Sequence, residues 1–430
     1  MQSNLRPIAS LLLAIAFLMA GNGLQFTLVP LRGHVMGFSS IGLGVIGSAY
    51  YVGFVSGCLL GPYLIVRAGH IRAFAALTAL AVVAALAYTL NAGVAPWTVF
   101  RILNGFCLAG IYLVIESWLN DRATNTHRGL VMSAYVFVNF LAFTAGQFMV
   151  TLYPIREDGN FIVAAMLASM AIVPVALTRS AQPAPITIVT FRPLHLYRAA
   201  PVGLVASLVV GAANGAFLTL GPLSAVRSGL NVGYVALFMG AATAGGALAQ
   251  WPAGRLSDRL DRRMVLLALL VGASLTGFAL WLFAATDTLL LVFGALFGAL
   301  ALPCYALAAA HAFDKTPISE TVPTAATILL ANALGSVIGP MLASVMMALQ
   351  GPRALFLFTA ATQALLVAFV VYRTTVQEAV LEPDKTSFDF AATAPVGAMV
   401  TGEQLDPMDP SVAVPEPYGP PPGDGPAASS

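Results

Sequence analysis

The chain has 430 residues, of which 59% are hydrophobic and only 9% charged, with mean hydropathy +0.86. A soluble domain carries about 25% charged residues, so folding as a water-soluble globule is excluded and nearly all of the chain must sit in lipid. The net charge of +2 hides a split: residues 1–373 hold 19 Lys and Arg against 9 Asp and Glu, whereas 374–430 hold one Lys, 9 acidic residues and 10 of the 27 prolines.

Apolar runs of about 20 residues can cross a bilayer as helices. Twelve follow in order, at 8–31, 41–66, 71–91, 95–118, 129–152, 159–178, 199–225, 231–254, 263–284, 287–311, 321–348 and 353–373. The first begins like a signal peptide, with Arg6 ahead of an apolar stretch to Ala20. It is read as a span, because the stretch continues to Pro30 and a matching segment recurs mid-chain at 199–225. Most connections are short, except 179–198, which carries Pro183, Pro185 and Pro193. The expected division is an N-terminal six-helix bundle over 1–178, a cytoplasmic linker over 179–198, and a second bundle over 199–373. Residues 374–430 read as a disordered, acidic, Pro-rich tail, either a solvated extension or an interaction arm.

The two bundles are copies. Asn22-Gly-Leu-Gln-Phe-Thr-Leu-Val-Pro-Leu31 and Asn214-Gly-Ala-Phe-Leu-Thr-Leu-Gly-Pro-Leu223 share six of ten residues at an offset of 192. Gly53 with Gly245 and Arg67 with Arg259 keep that offset; Tyr112 with Tyr305, Asp121 with Asp314, Asn139 with Asn332 and Gly146 with Gly339 shift it by one. The expected fold is therefore an all-α integral membrane protein of 12 transmembrane helices in two six-helix pseudo-symmetric halves. A duplicated membrane unit is the architecture of a secondary transporter. With the N-terminus in the cytoplasm, 15 basic residues fall on the cytoplasmic side and 4 on the other, with Arg101 inside a span. That bias predicts both termini inside.

Taken along the chain, the embedded polar residues are Asn22 and Gln25 in the first segment, Arg101 and Glu116 in the fourth, Asn139 and Gln147 in the fifth, Asn214 and Thr219 in the seventh, Gln250 in the eighth, Tyr305 in the tenth and Asn332 in the eleventh. Each can bridge helices or line a substrate path, and as a set they predict a partly polar central cavity. Arg101 either faces that cavity or snorkels to the nearby interface. Glu116 lies fifteen residues further, about 22 Å away on a helix, so it cannot pair with Arg101. It reads either as a structural ion pair with Arg67 or Arg72 or as a protonatable coupling site. Between the eighth and ninth segments, Gly254-Arg-Leu-Ser-Asp258-Arg259-Leu-Asp-Arg262-Arg263 sets a carboxylate beside arginines at a helix end. Such a group can form a charge-assisted latch that breaks when the halves part. Gly335 and Gly339 make a small-residue packing stripe ahead of Pro340.

Five short motifs carry a resemblance. Residues 254–263 resemble the loop G-x-L-x-D-R-x-G-R-R of the major facilitator superfamily, with Asp261 in place of the second glycine. Arg101-Ile-Leu-Asn-Gly105 is similar to that superfamily's R-x-x-x-G motif. Gln250-Trp-Pro, Val114-Ile-Glu116-Ser117 and Thr27-Leu-Val-Pro-Leu31 resemble its bacterial YcaD-like branch. The resemblance covers about 5–375 and implies a cytoplasmic gate built from Gly254, Asp258, Arg259, Arg262, Arg263 and, in the first-half copy, Arg67. That copy has Val66 where the aspartate belongs, so the gate is expected to be asymmetric.

The expected function is secondary transport of a small solute by rocker-switch alternating access in the bacterial inner membrane, proton-coupled, with export as one of its two open directions. The expected state is a monomer, its partners being the solute, protons and the lipid bilayer. The alternatives are an uncoupled facilitator or lipid scramblase, or a transport-inactive sensor or scaffold acting through the acidic tail. Cys58, Cys107 and Cys304 lie inside apolar runs without C-x-x-C spacing, so neither a disulfide nor a metal site is expected. Absence of a Walker loop or nucleophile constellation argues against ATP-driven pumping, enzymatic chemistry and any cofactor; no nucleic-acid partner is expected.

Overall fold

A computed structural model describes residues 2–123, 127–178, 191–283 and 287–376. Twelve helices are long and apolar enough to span a membrane, labelled here α1 (Gln2–Val35), α2 (Ser40–Ala68), α3 (His70–Leu90), α4 (Val94–Arg122), α5 (Arg128–Phe148), α6 (Gly159–Ala176), α7 (Pro201–Arg227), α8 (Val232–Arg259), α9 (Arg262–Phe283), α10 (Thr288–Asp314), α11 (Thr321–Gln350) and α12 (Ala354–Val376). Two are interrupted where proline removes a backbone donor: α6 at Ala171, one turn before Pro174, and α10 at Leu302-Pro303. The expected tail, from 377 on, and 179–190 of the expected linker lie outside the described residues. The last part of that linker forms a short helix, Pro193–Ala199, docked on the second half by Leu196 and by His195 Nε2, 2.9 Å from Glu320 Oε2.

The duplication seen in the sequence is a duplication of backbone geometry. Each half turns from its first helix to its second through a glycine at positive φ, Gly37 at 81° and Gly229 at 105°, a region that disfavours other residues. Two residues later each second helix is N-capped by a side-chain oxygen: Ser39 Oγ accepts from Gly42 N and Asn231 Oδ1 from Tyr234 N, both at 3.0 Å. Within the halves, helices touch at matched glycines. A Cβ added to Gly105 would strike the carbonyl of Tyr50, and one added to Gly298 that of Ala242. Gly146 meets Ala20 as Gly339 meets Ala212, so α5 lies on α1 as α11 lies on α7.

Between the halves the same exchange holds: α2 packs on α11 and α5 on α8. The start of α1 and the end of α12 lie on one face of the bundle, since the number of spans is even. At the opposite face the halves are tightly joined. Gly44 leaves no room for a Cβ against Ser344, and Gly240 none against Phe148.

Candidate functional site

The residues predicted for the cavity fall into two clusters and several separate positions, and those predicted for the gate form a third cluster. The first surrounds Arg101, on α4 two turns from Val94. The side chain is only 2% exposed, so it does not snorkel; it is a charge held inside the first half. Its guanidinium carbon lies 4.6 Å from the ring centre of Phe26 and 4.9 Å from that of Tyr50, cation–π distances. No carboxylate stands within ion-pair range of it among the described residues. One turn along α4, Asn104 Nδ2 donates to Gln25 Oε1 at 3.4 Å. Asn22, Gln25 and Asn104 line a cavity of about 20 Å³ enclosed by α1, α3, α4 and α6, room for about one water.

The second cluster centres on Glu116, which is fully buried. The expected partners, Arg67 and Arg72, are both exposed on the surface, which corrects that expectation. The contact found instead is from Tyr135, whose hydroxyl donates to Glu116 Oε1 at 2.6 Å. The chain of bonds continues sideways: Asn139 Nδ2 donates to the Tyr135 carbonyl at 2.9 Å, and Tyr112 Oη donates to Asn139 Oδ1 at 3.2 Å. Tyr305, from the second half, and Cys58 stand within electrostatic reach of this carboxyl. Sequence reasoning missed Tyr135 because helical spacing gives depth along α5 but not which neighbour it faces.

The third cluster is the charged turn between α8 and α9. Arg262 is its centre: Nε lies 2.8 Å from Asp314 Oδ2 at the end of α10, both side chains 1% exposed. Asp258 is a more distant partner at 3.5 Å and is partly exposed. Asp261, the departure from the family loop, folds onto Arg263, accepting from its backbone N at 2.9 Å and approaching Nη2 at 2.8 Å. Burial works against that charge, but the Arg263 hydrogen bonds and charge outweigh it and hold the carboxyl below the usual carboxylate range. These contacts tie α8, α9 and α10 together within the second half. Gly254 is buried beneath them, whereas Arg67 and Arg259 are exposed and stand apart.

The remaining predicted positions do not join these clusters. Asn214 Nδ2 donates to the Ala301 carbonyl at 3.3 Å, where α10 is interrupted. Asn332 is half-buried where α11 crosses Gly211 of α7. Two cross-half contacts went unpredicted. Thr243 Oγ1 donates to Gln147 Oε1 at 3.2 Å between α8 and α5. Arg227, at the end of α7, clasps the α1–α2 turn through Ser40 Oγ, the Phe38 carbonyl and His34 Nδ1.

Residues 203–400 match the family model described as Major Facilitator Superfamily. An uncharacterized MFS-type transporter YcaD from Escherichia fergusonii is 26% identical over 357 residues, 83% of this chain and 92% of that protein. The chain is similar to the major facilitator superfamily and, within it, to the YcaD-like transporters. The fold agrees. A point variant of the nucleoside transporter NupG superposes with TM-score 0.75 at 12% identity, covering 86% of this chain and all of that one. A bacterial homologue of the lysosomal transporter Spinster gives 0.71 at 13%, covering 88% and 98%. The twelve apolar helices and this fold describe a multi-pass membrane protein, and the proteins it matches are transporters by name.

Proposed function

We propose that the protein moves a small solute across the bacterial inner membrane by rocker-switch alternating access coupled to protons, as a monomer with both termini cytoplasmic. The observation that carries the coupling is Glu116: a carboxyl fully buried on a spanning helix and held at 2.6 Å by Tyr135. A carboxylate at membrane depth is costly, which favours taking up a proton when the site closes. Arg101 supplies an uncompensated positive interior to the first half, which favours an anionic or neutral solute over a cation. The clusters at Arg262 and Arg227 serve as fasteners at the two faces, the first holding the second half rigid and the second joining the halves.

The test is Glu116→Gln in proteoliposomes with an imposed pH gradient. Transport driven by the gradient should fall at least tenfold, while gradient-free exchange persists. Undiminished proton dependence would remove Glu116 from the coupling, and transport indifferent to any gradient in the parent protein would favour an uncoupled facilitator.

A further inference from the structure

We propose that the end of α8 holds an anionic phospholipid, its phosphate gripped by Arg255 and Arg259 beside Trp251. The Arg255 guanidinium carbon lies 4.0 Å from the centre of the Trp251 ring. That ring is 60% exposed on a spanning helix, and Leu248, one turn before it, is exposed as well. Both arginines are exposed and, four residues apart, share one face of the helix. Neither has a carboxylate within ion-pair range among the described residues; neighbouring Asp258 is directed to Arg262.

The contact holds one guanidinium over the indole face, and its N–H groups can bind a planar or tetrahedral oxyanion. An indole at a helix end marks the boundary between hydrocarbon and headgroups. The ligand must then carry both a phosphate and an apolar body to lie along Leu248 and Trp251, which describes a phospholipid rather than a dissolved phosphate. Among the described residues the arrangement occurs once. At the matching positions of α2 stand Leu59, Tyr63 and Arg67, with a single cation and no stack.

The test uses the full-length protein in phosphatidylcholine nanodiscs with a small fraction of brominated phosphatidylglycerol or brominated phosphatidylcholine. Of the four tryptophans, Trp97 and Trp118 are buried, and subtracting the Trp251→Phe signal isolates the site. Bromine on phosphatidylglycerol should quench Trp251 more strongly at equal mole fraction, from a local enrichment of about fivefold per arginine. The preference should disappear in Arg255→Gln/Arg259→Gln, with unchanged melting in pure phosphatidylcholine as the folding control. Equal quenching by both lipids, or a preference that survives the double substitution, would overturn the proposal. So would competition by soluble glycerol phosphate, which would put the ligand in water.

Discussion

At the depth of Arg101 the two halves share a backbone and oppose each other in chemistry. In the first half the guanidinium is flanked by Phe26 and Tyr50 above a layer of Gln25 and Asn104. In the second half the matching position is Gly294, filled by the ring of Phe238, and the positions of Gln25, Tyr50 and Asn104 are taken by Phe217, Ala242 and Phe297. Those rings pack together, Phe217 lying 4.8 Å from Phe297 and 5.8 Å from Phe238. The glycine-to-carbonyl contacts of α2 on α4 and of α8 on α10 are nonetheless the same. Helix placement after the duplication was therefore kept by a few small residues, and the side chains behind them were free to diverge into one charged half and one dry half.

The severest way to break the contrast is to charge the dry half. Gly294→Arg buries a guanidinium among rings with no polar layer like that of Gln25 and Asn104, a cost of about 2.5–3.5 kcal/mol on insertion scales before the overlap with Phe238 is counted. No monodisperse folded protein is expected on size exclusion. The charged turns offer a second contrast. Asp314→Ala removes the shorter of the two ion pairs of buried Arg262 and leaves it Asp258 at 3.5 Å, and should lower stability by about 3 kcal/mol, read as a thermal melting shift. At the matching place in the first half, His70 stands where Arg262 does and meets Ser117 Oγ at 3.2 Å. His70→Ala should cost only about 1 kcal/mol, and equal costs would erase the asymmetry.

The smallest effect concerns Asp261. Gly69 occupies the same place in the first half and uses a φ of 81°, whereas no described non-glycine residue has positive φ. The second turn is thus built differently, with a carboxylate–arginine fork in place of the glycine. Because Arg263 depresses the carboxyl's pKa, the fork stabilises the folded state above the unfolded value of about 3.9 and is lost as pH falls through the folded one. Asp261→Gly should cost roughly 0.5 kcal/mol at pH 7. The gap between variant and parent in thermal melting should close below about pH 4.

Much of the fold was legible because lipid imposes it: a span must be apolar over its whole length, and that survives in one dimension. The repeat was legible because glycines at helix crossings and turns tolerate little else. What the sequence concealed was rotational. Arg101 was visible as a charge in a span, but the rings around it come from α1 and α2 at no fixed spacing. Glu116 was visible, but its depth suggested surface arginines, when the rotation of α4 aims it at Tyr135. The loop arginines were visible, but their buried partner, Asp314, lies some fifty residues on, recognisable only as the repeat of Asp121.

The three cysteines have a practical consequence. Cys58, Cys107 and Cys304 are all buried, so the folded native chain offers thiol reagents no surface target. A single cysteine placed on either face becomes the only readily labelled position, with no need to rebuild the protein first. Cys58, buried on α2 within the first half, is a reporter already in place: its modification rate measures how often that core opens.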